Sequence, residues 1–126
     1  MKNTITAFFF LLLSINLFGQ DINGVWSETS TADHENSTVV ICQLGEQVYL
    51  TCYWEYKGQP VVWKGECTRN GNQLEFDTKH AKIIKGWDPN VRQKLTISND
   101  GKSMSGKWVN SKNESGSVSY IKKSKY

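Results

Sequence analysis

No apolar run in this 126-residue chain is long enough to cross a bilayer as a helix. Such a span needs about 20 consecutive apolar residues. The one candidate runs from Ala7 through Phe8, Phe9, Phe10, Leu11, Leu12 and Leu13 to Ile15 and Leu17, and Ser14 and Asn16 interrupt it. A surplus of charge is missing too. The 15 basic and 12 acidic residues leave a net +3, too mild to argue for nucleic acid or an acidic membrane surface. There are two histidines, and no nucleophile–base pair with a recognisable spacing accompanies them. A Gly-rich phosphate loop is also absent. Asp33-His34-Glu35 is the nearest thing to a metal cluster, but consecutive residues of a strand point to opposite faces, and in a loop the triplet is simply polar. His80 has no identifiable partner. The expectation is therefore no enzyme, no cofactor, no nucleic acid and no bound metal.

The short apolar run has a simpler reading. Lys2 supplies a positive charge before it, and Gly19 offers a small residue before Gln20 and Asp21. This is the layout of a cleavable signal peptide. Residues 1–20 are assigned to it, with the cut after Gly19 or Gln20. Residues 21–126 then form one secreted or periplasmic domain with no membrane span after processing. Removing the leader takes away Lys2 alone and leaves 14 basic against 12 acidic residues, a net +2. Lys122, Lys123 and Lys125 near the C-terminus read as a solvated tail.

Helical spacing is also missing from the mature chain; period-two alternation replaces it. Val48, Leu50, Cys52, Trp54 and Tyr56 share one face, against Tyr49, Thr51, Tyr53 and Glu55. Val61, Trp63, Gly65 and Cys67 continue the apolar set. So do Leu74, Phe76 and Thr78, then Val91, Gln93, Leu95 and Ile97, then Met104, Gly106 and Trp108. Turn signals punctuate these runs at Gly45-Glu46, Lys57-Gly58, Asn70-Gly71 and Asp100-Gly101, and the last two are the strongest two-residue hairpin types. A turn at Lys57-Gly58 sets Val61 opposite Trp54, Trp63 opposite Cys52, and Cys67 opposite Val48. One at Asn70-Gly71 sets Cys67 opposite Leu74 and Gly65 opposite Phe76. One at Asp100-Gly101 sets Ile97 opposite Met104, Leu95 opposite Gly106, and Gln93 opposite Trp108. All three registers put the apolar sets on one shared face, and a slip by one residue would scatter them.

The fold class is therefore all-β: about eight antiparallel strands in a meander, closed or nearly closed into a small barrel. Strands are expected near 22–30, 37–44, 47–56, 60–68, 72–79, 90–98, 102–109 and 115–122. Gly65, Gly106 and Gly116 suit the bends that closure needs. The stretch from His80 to Pro89 is open between a further strand, a short helix and a loop over one barrel end.

Gly24-Val25-Trp26 at the start of the first mature strand resembles the G-x-W of the lipocalin and avidin families, small calycin-type barrels that hold a ligand in the mouth. Gly106-Lys107-Trp108 is a second G-x-W, and Val61 to Cys67 is similar to an avidin hairpin. The resemblance implies the barrel fold and ligand binding. It does not carry over biotin, because the set of biotin-contacting polar residues is not matched. It also implies a basic residue on the last strand against the first Trp; Lys122 or Lys123 is available, where the family has Arg.

The ligand-binding candidates are the inward aromatics Trp54, Tyr56, Trp63, Phe76 and Trp108, together with Gln93, a buried amide that needs a partner. Tyr120 is a further inward aromatic. These residues either line a cavity or fill a narrow barrel. Trp26 belongs to packing at the closed end. Cys42, Cys52 and Cys67 are expected to be buried, unpaired thiols: Cys52 and Cys67 stand four residues out of step on neighbouring strands, beyond disulfide reach. Asn36-Ser37-Thr38 and Asn113-Glu114-Ser115 match the glycosylation pattern. The leading expectation is a binding protein for a small apolar or aromatic molecule. The alternative is a protein-interaction module or inhibitor that acts through its loops and barrel exterior, where Tyr49, Tyr53 and Val62 project.

Overall fold

The computed structural model describes residues 19–29, 37–82 and 84–124. The apolar leader, Asp33-His34-Glu35 and Asn36 lie outside the described residues. The described residues form eight strands: β1 (Gly24–Glu28), β2 (Thr38–Leu44), β3 (Gln47–Tyr56), β4 (Gln59–Thr68), β5 (Gln73–His80), β6 (Asn90–Ile97), β7 (Ser103–Asn110) and β8 (Ser115–Ser124). Each pairs antiparallel with the next, and β1 pairs with β8, so the sheet closes into a barrel without free edges. Among the described residues there is no helix.

Hairpin chemistry fixes most of the register. Lys57 (φ 50°) and Gly58 (φ 74°) both adopt the left-handed region, which makes the tight turn that a twisted hairpin favours. It sets Trp54 opposite Val61, Cys52 opposite Trp63 and Val48 opposite Cys67. Across β6 and β7, Gln93 faces Trp108, Leu95 faces Gly106 and Ile97 faces Met104. Here the loop is wider than Asp100-Gly101: Ser98 and Ser103 are bonded backbone to backbone at its base, and only Gly101 has a positive φ. The β4–β5 register differs from the expected one by two residues. Asn70 and Gln73 exchange backbone hydrogen bonds, so the turn lies at Gly71 and Asn72, and Gly65 faces Thr78 instead of Phe76. A shift of two preserves the pleat, so the inward set is unchanged.

The lower half of the barrel is packed solid. Trp26, Ile41, Val48, Leu50, Leu74, Leu95, Ile97 and Met104 are all buried there with Ile22. Residues ahead of β1 cap this end. Trp26 Nε1 donates to the Ile22 carbonyl (3.0 Å), and the Gln43 amide donates to Asn23 Oδ1 (2.6 Å). The guanidinium of Arg69 donates to the Gln20 carbonyl (2.7 Å) and to Gln43 Oε1 (2.9 Å), which ties the entering chain to β2. Lys122 does not belong to a solvated tail: its Nζ donates to the Asp21 carbonyl (2.9 Å) and lies 5.7 Å from the Trp26 ring centroid.

The three cysteines are free thiols. Cys42 faces Tyr49 across β2 and β3 on the outer surface and is exposed, contrary to the expectation of burial; the pleat points it away from the core. Cys52 is buried, and burial followed by the charge of Glu28 pushes its thiol far up, so it stays protonated. Burial also raises Cys67.

Candidate functional site

The described residues leave the upper half of the barrel unfilled. A cavity of about 380 Å³ occupies the mouth, a volume within the usual range for small-molecule pockets. The same alternation that packs the lower core brings its walls inward: Trp54 from β3, Trp63 from β4, Thr78 and His80 from β5, Val91 and Gln93 from β6, Trp108 from β7, Val118 from β8 and Glu28 from β1. Gly116 stands opposite Trp108 in the ladder, and a methyl group there would meet the indole at 2.7 Å. The bare backbone at Gly116 is thus what lets Trp108 lie against β8.

The segment between β5 and β6 is a loop over this end, which resolves the three readings of His80 to Pro89. Ala81 is anchored by its amide to the Val62 carbonyl (2.8 Å), and the loop delivers Trp87 onto the mouth. Trp87 stacks on Trp54 (centroids 5.6 Å apart, planes at 29°), packs against Tyr56 (5.0 Å) and meets His80 edge-on (6.3 Å). His80 therefore does have partners: Trp87, and the Pro89 carbonyl 3.4 Å from its Nδ1.

Seven of the fourteen lining residues are polar: Glu28, Thr78, His80, Asp88, Gln93, Asn110 and Glu114. Tyr120 is buried, and desolvation, with the charge of Glu28 second, drives its phenol well above the ordinary value. It remains protonated and donates a hydrogen bond to Gln93 Oε1 at 2.8 Å. Gln93 is itself 7% exposed and lines the cavity, and with its oxygen occupied the carboxamide NH₂ has no acceptor among the described residues. Thr78 spends its hydroxyl on the Val91 carbonyl (2.7 Å). Three carboxylates complete the lining. Glu28 is buried in the wall, while Asp88 and Glu114 stand nearer the rim. The Ser111 hydroxyl, then the Asn90 amide, hold Asp88 below the usual carboxylate range, so it is ionised at neutral pH. Glu114 accepts from Asn110 Nδ2 at 2.8 Å.

Of the six residues expected at a site, Trp54, Trp63, Gln93 and Trp108 line the cavity. Tyr56 is half-buried on Trp54 and Trp87 and is not part of the lining; Phe76 is fully buried core. Sequence reasoning missed Trp87, His80, Glu28, Asp88, Asn110 and Glu114. Glu28 had a signal: it follows Trp26 by two in the same strand and so shares its face. Trp87 had none beyond being a large aromatic in a polar loop. No protein-family model matches this chain, and neither does any curated protein or solved structure compared with it.

Proposed function

We propose that this protein is an exported, lipocalin- or avidin-like barrel that binds a small, partly apolar molecule in its mouth. One observation carries the reading: a tryptophan-walled cavity sits at one end of a barrel whose other end is packed and capped. A core that needed only to be stable would have closed both ends, since apolar burial stabilises by about 25 cal/mol per Å². The NH₂ of Gln93, without an acceptor among the described residues, supplies one of the polar groups that orient a ligand in a pocket. Lys122 against Trp26 supports the calycin-type comparison, because it is the basic residue on the last strand that the G-x-W pattern calls for. Export rests on the signal-peptide layout of residues 1–20.

N-Phenyl-1-naphthylamine, a neutral apolar dye, should bind with a rise in fluorescence. Val91→Phe puts extra bulk into the cavity and should weaken that binding at least tenfold, about 1.4 kcal/mol, while the circular dichroism spectrum is unchanged. Dye binding that is indifferent to Val91→Phe would place the dye on the outside and reject the reading. Native mass spectrometry of the protein from its own host would add the mass of any retained molecule, and the chain mass itself should correspond to a start at Gln20 or Asp21.

The interaction-module reading also has an observation in its favour. Val40 (47% exposed), Tyr53 (47%) and Ile121 (51%) are large apolar groups on the outer wall. Tyr53 stands beside Val62 in the ladder. The same dye, bound outside, would favour it.

A further inference from the structure

We propose that the ligand of the mouth cavity is an organic ammonium cation carried on an apolar body. The inference rests on the binding reading above and narrows it to one charge class. The chain as a whole is net positive, at +3. The cavity reverses that sign. Its lining contains Glu28, Asp88 and Glu114, and no lysine or arginine is among the described residues that form it. An anionic ligand, such as a carboxylate with an alkyl tail, would meet like charge from three elements and no lysine or arginine among the described lining residues; Lys112, outside the lining, acts on Asp88 at the rim.

The rest of the wall suits a cation. Trp54, Trp63, Trp87 and Trp108 surround the space, and tryptophan is the ring whose face attracts cations best. Trp87 and Trp54 stack as one double wall. The chain already sets one ammonium group on this aromatic cluster: Lys57 Nζ lies 5.2 Å from the centroid of Tyr56, which itself packs against Trp54 and Trp87.

The carboxylates are spread around the cavity and do not converge. Among the described residues no three Asp, Glu, His or Cys side chains come together as a metal-ligand set. A compact divalent ion needs several oxygens at about 2.0–2.6 Å and is poorly served by that spacing. A diffuse ammonium needs only aromatic faces and a nearby negative potential. Glu28 supplies that potential from within the wall, where it is felt as far as Cys52 and Tyr120. Asp88 and Glu114 extend it to the rim.

The test uses three competitors for the bound N-phenyl-1-naphthylamine. They are benzyltrimethylammonium, its neutral carbon isostere neopentylbenzene, and the anion 3-phenylpropanoate. The cation should displace the dye at least tenfold better than the isostere, and the anion should be the weakest. Glu28→Gln should move the cation-to-isostere ratio toward one. Should that variant fail to fold, Glu114→Gln, on an exposed hairpin tip, should lower the ratio by a smaller factor, and 0.5 M salt should lower it in the unaltered protein. Equal displacement by cation and isostere overturns the charge inference and leaves the binding barrel standing. A dye that never binds, or that ignores Val91→Phe, overturns both.

Discussion

Trp26→Ala is expected to destabilise the barrel by roughly 3–5 kcal/mol, the range for deleting a large aromatic from a packed core. Trp26 is fully buried at the closed end, and its removal does more than open a void. Its Nε1–H holds the Ile22 carbonyl, and its ring carries Lys122, which in turn holds the Asp21 carbonyl. The capping segment would therefore lose its apolar floor and two of its tethers together. Against a total stability of about 5–15 kcal/mol, that loss is a large fraction. At a urea slope near 1.5 kcal/mol/M, the midpoint should fall by roughly 2–3 M. Trp26→Phe keeps most of the bulk and gives up the hydrogen bond, so about 1–2 kcal/mol is expected. Trp63→Ala is the informative comparison. Trp63 is nearly as buried but borders the cavity, so the space it leaves joins one that already exists, and the cost should be smaller than at Trp26. Equal losses at the two sites would mean that the mouth is packed in solution and that there is no cavity to fill.

That contrast between the barrel's ends marks how far the sequence could be read. Alternation placed Val48 to Tyr56 and Val91 to Ile97 on the correct faces because a closed sheet has one inside and one outside, and the pleat leaves no third choice. Registers followed wherever the turn residues dictated a geometry, as at Lys57-Gly58. Asn70-Gly71 failed as a turn centre because Asn70 stays in the ladder and only Gly71 takes the left-handed conformation. Face survived that error and pairing did not. The site divided along the same line. Trp54, Trp63, Gln93 and Trp108 came from strands and were legible. Trp87 and Asp88 come from a loop, which has no period, and whether they reach the mouth depends on tertiary anchors such as Ala81 on Val62. The filling of one end and not the other depends on side-chain volumes summed across eight strands and on the capping segment, which no local pattern encodes.

The second large effect belongs to a residue with no side chain. Gly106→Ala is expected to cost at least about 3 kcal/mol, although two general arguments favour the substitution. Its backbone is not in the left-handed region, so alanine brings no conformational strain. Removing a glycine also stiffens the unfolded chain, which alone would stabilise by about 0.4–1 kcal/mol. What reverses the sign is the close approach of β6. A methyl group at Gly106 would collide with the Lys94 carbonyl oxygen, and it would stand 2.7 Å from the carbonyl carbon and 3.1 Å from Leu95 Cα. These are backbone atoms, so no rotamer change relieves them. β6 and β7 must part, along the ladder that presents Gln93 and Trp108 to the cavity. Overpacking that side chains can absorb costs about 1–3 kcal/mol, and a displaced strand in a closed barrel adds lost ladder bonds to that. Gly65→Ala is the control. It too lies inside a strand, but its methyl would meet only the side chains of Thr78 and Phe76, at 3.3 and 3.4 Å, which can yield by a few tenths of an ångström. Thermal unfolding should separate the two: for a domain of this size about 1 kcal/mol corresponds to a shift of roughly 4–8 °C, so Gly106→Ala should fall by more than about 12 °C and Gly65→Ala by under about 8 °C. If the two variants melt together, β6 and β7 are not in the register that joins Leu95 to Gly106, and the wall of the proposed site is misplaced.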